Sequence, residues 1–208
     1  MKNKKINLLA SIITSVGLLS GVHANAADTN WYTGISLGTT TVDSDISNTT
    51  GTARLDESDT GYKILIGKKI DKTISIEGFY ADFGEASLTG NTGDTFDANN
   101  TTFAFTVNNA KLTQSATGLG INAKFNYAFN DKSSIAGRIG MLMWDAEASV
   151  SGATITTDSA SADGTDLFYG VGYKYGLTNQ YSLTIDYDMY SADDLDFDMF
   201  AVGVLYNF

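Results

Sequence analysis

The chain has no cysteine and no proline, and its one histidine is His23. Without cysteine there is no disulfide framework, no thiol nucleophile and no thiolate metal site. Charged residues make up 18 % of the 208, against roughly 25 % in ordinary soluble domains. Positive charge is scarcest: 13 Lys and Arg stand against 24 Asp and Glu, a net of −11. That balance opposes binding to nucleic acid or to bare anionic lipid. No stretch after Asp28 repeats apolar residues at the 3.6 period of an amphipathic helix. What is abundant is Gly (21), Tyr (11) and Phe (11).

The N-terminus reads as an export signal. Lys2, Lys4 and Lys5 precede a mostly apolar run from Ile6 to Val22, and Ala24-Asn25-Ala26 fits the small-residue cleavage pattern. Polar interruptions at Asn7, Ser11, Thr14, Ser15 and Ser20 speak against a transmembrane anchor. The expected organisation is a signal peptide over 1–26 and an outer-membrane β-barrel over 27–208. The mature chain of 182 residues would carry a net charge of −14 and no histidine.

Those 182 residues repeat one pattern. Eight segments alternate apolar residues with small or polar ones, as half-buried strands do. They cover 31–41, 61–70, 74–83 and 112–129, then stretches centred on Ile139, Val171, Ile185 and Val204. In the fourth, Leu119, Ile121, Phe125, Tyr127 and Phe129 oppose Gly118, Gly120, Asn122, Lys124 and Asn126. Three connections are tight (71–73, 130–132 and 177–180), and four are read as loops (42–60, 84–111, 145–165 and 191–196). The alternative, a soluble β-sandwich, would expose its polar face, but here that face is Gly, Ser, Ala and single charges. The predicted fold is therefore all-β: an eight-stranded antiparallel up-and-down transmembrane β-barrel, short turns on one side and long loops on the other. Closure is obligatory, because an unpaired strand edge cannot stand in hydrocarbon. Trp31, Tyr127, Phe129, Tyr175, Tyr181, Tyr206 and Phe208 fall beside the tight turns or the termini, as a periplasmic aromatic girdle would, and Tyr80 sits where a second girdle would. Gly118/Gly120 and Gly170/Gly172 look like nucleotide-loop fragments, but inside strands they make room in a narrow lumen.

The runs Ile76-Glu77-Gly78-Phe79-Tyr80-Ala81-Asp82-Phe83-Gly84, Gly140-Met141-Leu142-Met143-Trp144-Asp145, Phe168-Tyr169-Gly170-Val171-Gly172 and Ile185-Asp186-Tyr187 occur in that order. Together they resemble the OmpA-like outer-membrane β-barrel domains across essentially the whole mature chain. Many members of that family add a peptidoglycan-binding domain. This sequence stops at Phe208, so that mode of wall attachment is not expected. The terminal strand with Tyr206 and Phe208 resembles the signal read by the barrel-assembly machinery. The resemblance implies the Gram-negative outer membrane, with loops extracellular, termini periplasmic, and lipid and lipopolysaccharide as surroundings.

An eight-stranded barrel is just wide enough for side chains to fill it. Lys63, Glu77, Lys124, Arg138, Lys174, Asp186 and Asp188 fall on the inward face, and isolated charges there would be costly. The expectation is a paired network plugging the lumen, with Lys124 opposite Arg138 across the turn at Asp131. The four loops carry −13 of the mature −14. Within the second, residues 101–107 have strand character and are expected to extend the barrel wall. Asp43/Asp45 and Asp193/Asp194/Asp196 could offer oxygens to Ca²⁺ but match no complete EF-hand loop, and plain rim acids are the stronger reading. After signal removal no imidazole base remains, so hydrolase devices built on histidine are excluded and neither an enzyme nor a cofactor is expected. The function expected is a structural or surface-interaction barrel contacting a host-surface ligand through acidic loops. The alternative is a narrow low-conductance channel for small solutes.

Overall fold

Every regular element among the described residues is a β-strand. The computed structural model describes residues 30–44, 46–153, 155–192 and 195–208; the expected signal peptide and its cleavage site lie outside them. The strands are β1 (Trp31–Asp43), β2 (Ile46–Ser47), β3 (Arg54–Asp56), β4 (Ser58–Lys69), β5 (Ile74–Gly90), β6 (Thr95–Ala98), β7 (Thr101–Ala104), β8 (Ala110–Ala128), β9 (Ser133–Gly152), β10 (Ile155–Gly176), β11 (Tyr181–Ala192) and β12 (Leu195–Asn207).

Eight of these form a closed antiparallel ring in the order β1, β4, β5, β8, β9, β10, β11, β12. The ring shuts where β12 returns to β1, from Tyr32 opposite Asn207 to Asp43 opposite Asp196. β3 lies outside it, paired to the far part of β5. Alternation sorts the side chains. Ile66, Ile121, Ile139, Met141, Val171 and Val202 are each at least half exposed on the outer face, while Ala81, Leu142 and Met199 inside are fully buried. An exposed apolar belt of that extent suits acyl chains, not water.

Aromatic residues bracket the belt. Near the tight turns, Tyr127 packs edge-on against Phe129 at 5.5 Å, Tyr181 lies 5.2 Å from Tyr206, and Lys68 Nζ sits 5.4 Å over the Trp31 ring. Higher on the wall, Tyr62 and Tyr80 are 6.2 Å apart, and Tyr187 donates to Asp198 Oδ2 at 2.6 Å.

The three tight turns share one device. Asp71 Oδ1 accepts the amides of Thr73 (2.6 Å) and Ile74 (2.8 Å); Asn130 Oδ1 accepts those of Lys132 and Ser133 (both 2.9 Å). Thr178 Oγ1 accepts from Gln180 (3.2 Å) and Tyr181 (3.0 Å). In each turn one side-chain oxygen thus satisfies amides that the reversal leaves over. The Thr73 amide foremost, and then that of Ile74, hold the Asp71 carboxyl below the ordinary carboxylate range.

At the opposite end the expected loops are mostly strand. β9 and β10 run on as one hairpin to Gly152 opposite Ile155, and β5 and β8 stay paired up to Gly90 opposite Ala110. Gly84 opens no loop; it is a bulge with φ +77, between Asp82 opposite Thr117 and Glu85 opposite Ser115. One inserted residue reverses the facing of everything beyond it. Phe83 is buried before the bulge and Leu88 after it.

Residues 101–107 do not extend the wall. β7 pairs with β6, and β6 with β2, in a separate three-stranded sheet. The reason is a second small core: Ala53, Leu88, Phe105 and Ala110 are buried together, with Phe96 and Val107 packed on them. Strand propensity in the sequence reports a pleated, half-buried surface but not which sheet supplies it.

Candidate functional site

Two layers fill the ring. The first is ionic. Glu77 on β5 accepts from Tyr32 Oη (2.7 Å), Lys124 Nζ (3.0 Å) and, through Oε2, from Asn122 Nδ2 (3.0 Å). Lys124 is the cross-strand partner of Arg138. Arg138 Nη1 donates to both oxygens of Asp188 at 3.0 and 3.1 Å, and Nη2 donates to Asp186. Lys63 Nζ closes the set on Asp188. Three cations meet three carboxylates, all six buried. Their charges cancel, and their hydrogen-bonding capacity is largely used within the ring, the condition on which buried ions are tolerated.

Gly170 and Gly172 make this geometry possible. A Cβ at Gly170 would overlap Asp188 Oδ1, and one at Gly172 would overlap Asp186 Oδ1. The Gly-x-Gly step is where β10 leaves space for two carboxylates of its neighbour.

The second layer is aromatic and lies toward the long-hairpin end. Phe168 stacks on Tyr190 at 5.1 Å, and Tyr190 stacks on Phe197 at 5.4 Å. Phe79 meets Phe168 edge-on at 5.2 Å, and Phe83 meets Phe197 at 4.5 Å. Leu142, Trp144 and Met199 complete this buried cluster. The layers are joined: Lys63 Nζ lies 5.7 Å from the Phe79 ring centre, and Tyr190 Oη donates to Asp188 Oδ2 at 3.3 Å.

Lys174 stands apart from the other six lumen residues. It lies nearer the tight turns, opposite Ser134 and Thr184, with no ion pair among the described residues. Lys69 belongs to the same region, donating to Asn207 Oδ1 at 2.7 Å. Sequence reasoning passed over Lys69, Tyr32, Asn122 and the aromatic layer. A signal for the last existed: Phe79, Trp144, Phe168 and Tyr190 are bulky residues on a face otherwise small or polar.

The long-hairpin end projects beyond the apolar belt. On its outer face the last apolar side chains are Met143 and Leu167, and Asp145, Glu147, Ser161, Asp163 and Thr165 follow, all exposed. The neighbouring loop sheet is stitched by carboxylates. Asp94 accepts from Thr52 Oγ1 (2.6 Å), Thr52 N (3.1 Å) and Asn91 N (2.9 Å), and Asp97 accepts from Thr102 Oγ1 (2.6 Å) and Asn48 Nδ2 (2.8 Å). These donors, Thr52 foremost at Asp94 and Thr102 at Asp97, hold both carboxyls below their ordinary range. Asp45, Asp193 and Asp194, considered above for Ca²⁺, lie outside the described residues. Among those described, no three His, Cys, Asp or Glu converge as a metal site.

The family described as outer membrane protein beta-barrel domain matches residues 11–208. No curated protein sequence matches the chain. Among solved structures, Ail, the attachment invasion locus protein of Yersinia pestis, in complex with the heparin analogue sucrose octasulfate, is similar with a TM-score of 0.52. Its sequence identity is 16 %, over 86 % of this chain and 99 % of that one. Neisserial surface protein A gives a TM-score of 0.52 at 14 % identity, over 86 % and 98 % of the two chains. At these identities the likeness is one of fold.

Proposed function

The chain belongs to the outer membrane protein beta-barrel domain family, whose place is the Gram-negative outer membrane, and we propose that it acts there as a closed structural barrel meeting partners through its acidic projecting end. Residues 1–26 serve export and are removed. The tight turns and both termini face the periplasm, and the long hairpins face outward, as the asymmetry of connection lengths supports. Lipid and lipopolysaccharide surround the apolar belt, and Tyr206 and Phe208 form the signal that the assembly machinery reads.

The observation that carries this reading is the filled lumen. Among the described residues, a layer of six paired charges and a layer of packed aromatic rings fill the ring, which favours surface interaction over the narrow channel. The rim then indicates the chemistry of the partner. The Ail neighbour was solved with a heparin analogue, and a sulfated sugar is a polyanion. Here the projecting end carries the excess acid, so a cationic surface is the complementary ligand.

Planar-bilayer recording from purified protein tests the closed barrel. The expected outcome is no steady conductance step. A large, stable single-channel conductance would overturn the reading and restore the solute channel.

A further inference from the structure

Lys69 and Lys174 lie within the ring at the tight-turn end, next to the ionic layer. Lys63, Lys124 and Arg138 already match the three inward carboxylates. Lys69 and Lys174 therefore add two positive charges, and neither has an ion pair among the described residues. The acids of the adjoining turns, Asp71 and Asp131, are exposed at the turn tips. Asp71 Oδ1 is taken by the amides of Thr73 and Ile74.

The surplus is concentrated. Lys69 Nζ and Lys124 Nζ lie 5.9 and 5.8 Å from the centre of the Tyr32 ring. The charges that act on Lys174 are those of Lys124 and Lys69, both cations. The carboxylate beside them, Glu77, is engaged by Lys124, Tyr32 and Asn122. Like charges gathered in this way repel, more strongly where water is partly excluded, and Lys69 and Lys174 are both half-buried.

An unused donor stands beside them. Ser134 on β9 is the direct cross-strand partner of Lys174 and is 6 % exposed, and its Oγ has no hydrogen-bond partner among the described residues. Thr184 on β11 is the partner on the other side of Lys174 and is also buried. Directly opposed side chains start about 5 Å apart, so these three line one patch of the inner wall. A buried hydroxyl without a partner is costly. One added anion can neutralise the lysines and accept from the hydroxyl together.

We propose that the tight-turn mouth of the barrel binds a dianionic phosphate group, held by Lys69 and Lys174 and accepting a hydrogen bond from Ser134 Oγ. Two ammonium groups match its two charges, and its oxygens meet donors from three strands, β4, β9 and β10. The site stands at the opposite end from the acidic hairpins and does not depend on what they bind. Its donors lie inside the ring. Inorganic phosphate or a small phosphate monoester can therefore enter, whereas the acyl chains of a phospholipid stay outside the wall.

The test uses the full barrel in phosphate-free maltoside micelles, titrated with inorganic phosphate at constant ionic strength and about pH 8, where phosphate monoesters are dianions. The backbone amide signals of Lys69, Ser134, Lys174 and Thr184 should shift and saturate, with a dissociation constant of about 1 mM or below. Lys174→Gln should weaken binding about tenfold or more, and Ser134→Ala about threefold or more. Lys111→Gln, at the other end, should leave it unchanged. Folding of each variant is read from the heat-modifiable gel shift, and Lys69→Gln carries the same expectation as Lys174→Gln should the latter not fold. Glycerol 3-phosphate should compete, and dimethyl phosphate, a monoanion, should not. Shifts that never saturate, or that chloride alone reproduces, would reduce the effect to general charge attraction and overturn the proposal. Full affinity in the folded lysine variants, or competition by dimethyl phosphate, would overturn it as well. In nanodiscs containing phosphatidic acid the titration should be unchanged. Signals already shifted there before phosphate is added would assign the site to a lipid phosphate and overturn the free-solute source.

Discussion

Arg138 reaches two carboxylates from one side chain, Asp188 through Nη1 and Asp186 through Nη2. Its removal would strand two acids in a space they share with few other donors. Arg138→Met should therefore lower barrel stability by roughly 3–5 kcal/mol, read from urea unfolding in micelles. A loss below about 1 kcal/mol would mean that water already solvates the acids. Period two in the sequence accounts for the inward placement of Arg138 and of the other six lumen charges. It does not account for why Lys174 stands outside the network, because which partner each charge finds depends on distances across the ring. Nor does it foresee that Tyr32 and Asn122 complete the coordination of Glu77, since neutral residues on an inner face carry no label in the sequence.

Strands and their connections obey a different logic. Asp71, Asn130 and Thr178 are recognisable turn residues, so the three tight reversals were legible. The bulge was not. Gly84 sits among small and polar residues that read as the start of a loop, yet its positive φ keeps β5 in the ladder and turns Leu88 inward. Gly84→Val should cost roughly 1–3 kcal/mol of local strain, seen as protease cutting within residues 85–117 while the rest of the ring stays protected. Unchanged protection there would show that the bulge does not need glycine. The loop sheet depends on protonation in one direction. Because the Asp94 carboxyl is held below its ordinary value, near 3.9 in an unstructured chain, its contribution is complete above that value and is lost as pH falls through the lower folded one. Protease protection of residues 91–105 should match at pH 7 and pH 5, and fail only below about pH 4. Asp94→Ala should be cut at all three. Loosening of the unsubstituted protein between pH 7 and 5 would exclude Asp94 as the tie.

The barrel as an assembly separates two tasks along its axis. The ring is held by eight ladders and the filled lumen, and the projecting hairpins add surface without adding to closure. Replacing residues 147–161 by a short glycine-containing turn should leave a barrel that still shows the heat-modifiable gel shift, because β9 and β10 remain paired from Asp145 opposite Asp163 down to Ser133 opposite Tyr175. Loss of the folded gel species would show that closure depends on the projecting hairpin.

Alternation, the tight-turn residues and the acid-rich connections were all written in the chain, because each is a local property: side chains on a strand take opposite faces by geometry, and an Asp, Asn or Thr caps amides two and three positions on. Three features had to await the folded ring. These are the pairing of Lys63 and Arg138 with Asp188, the aromatic layer joining Phe79, Phe168, Tyr190 and Phe197, and the β5–β8 register shift at Gly84 that turns Leu88 inward. Each depends on register and on contacts between residues far apart in the chain, which no periodicity along a single strand can specify.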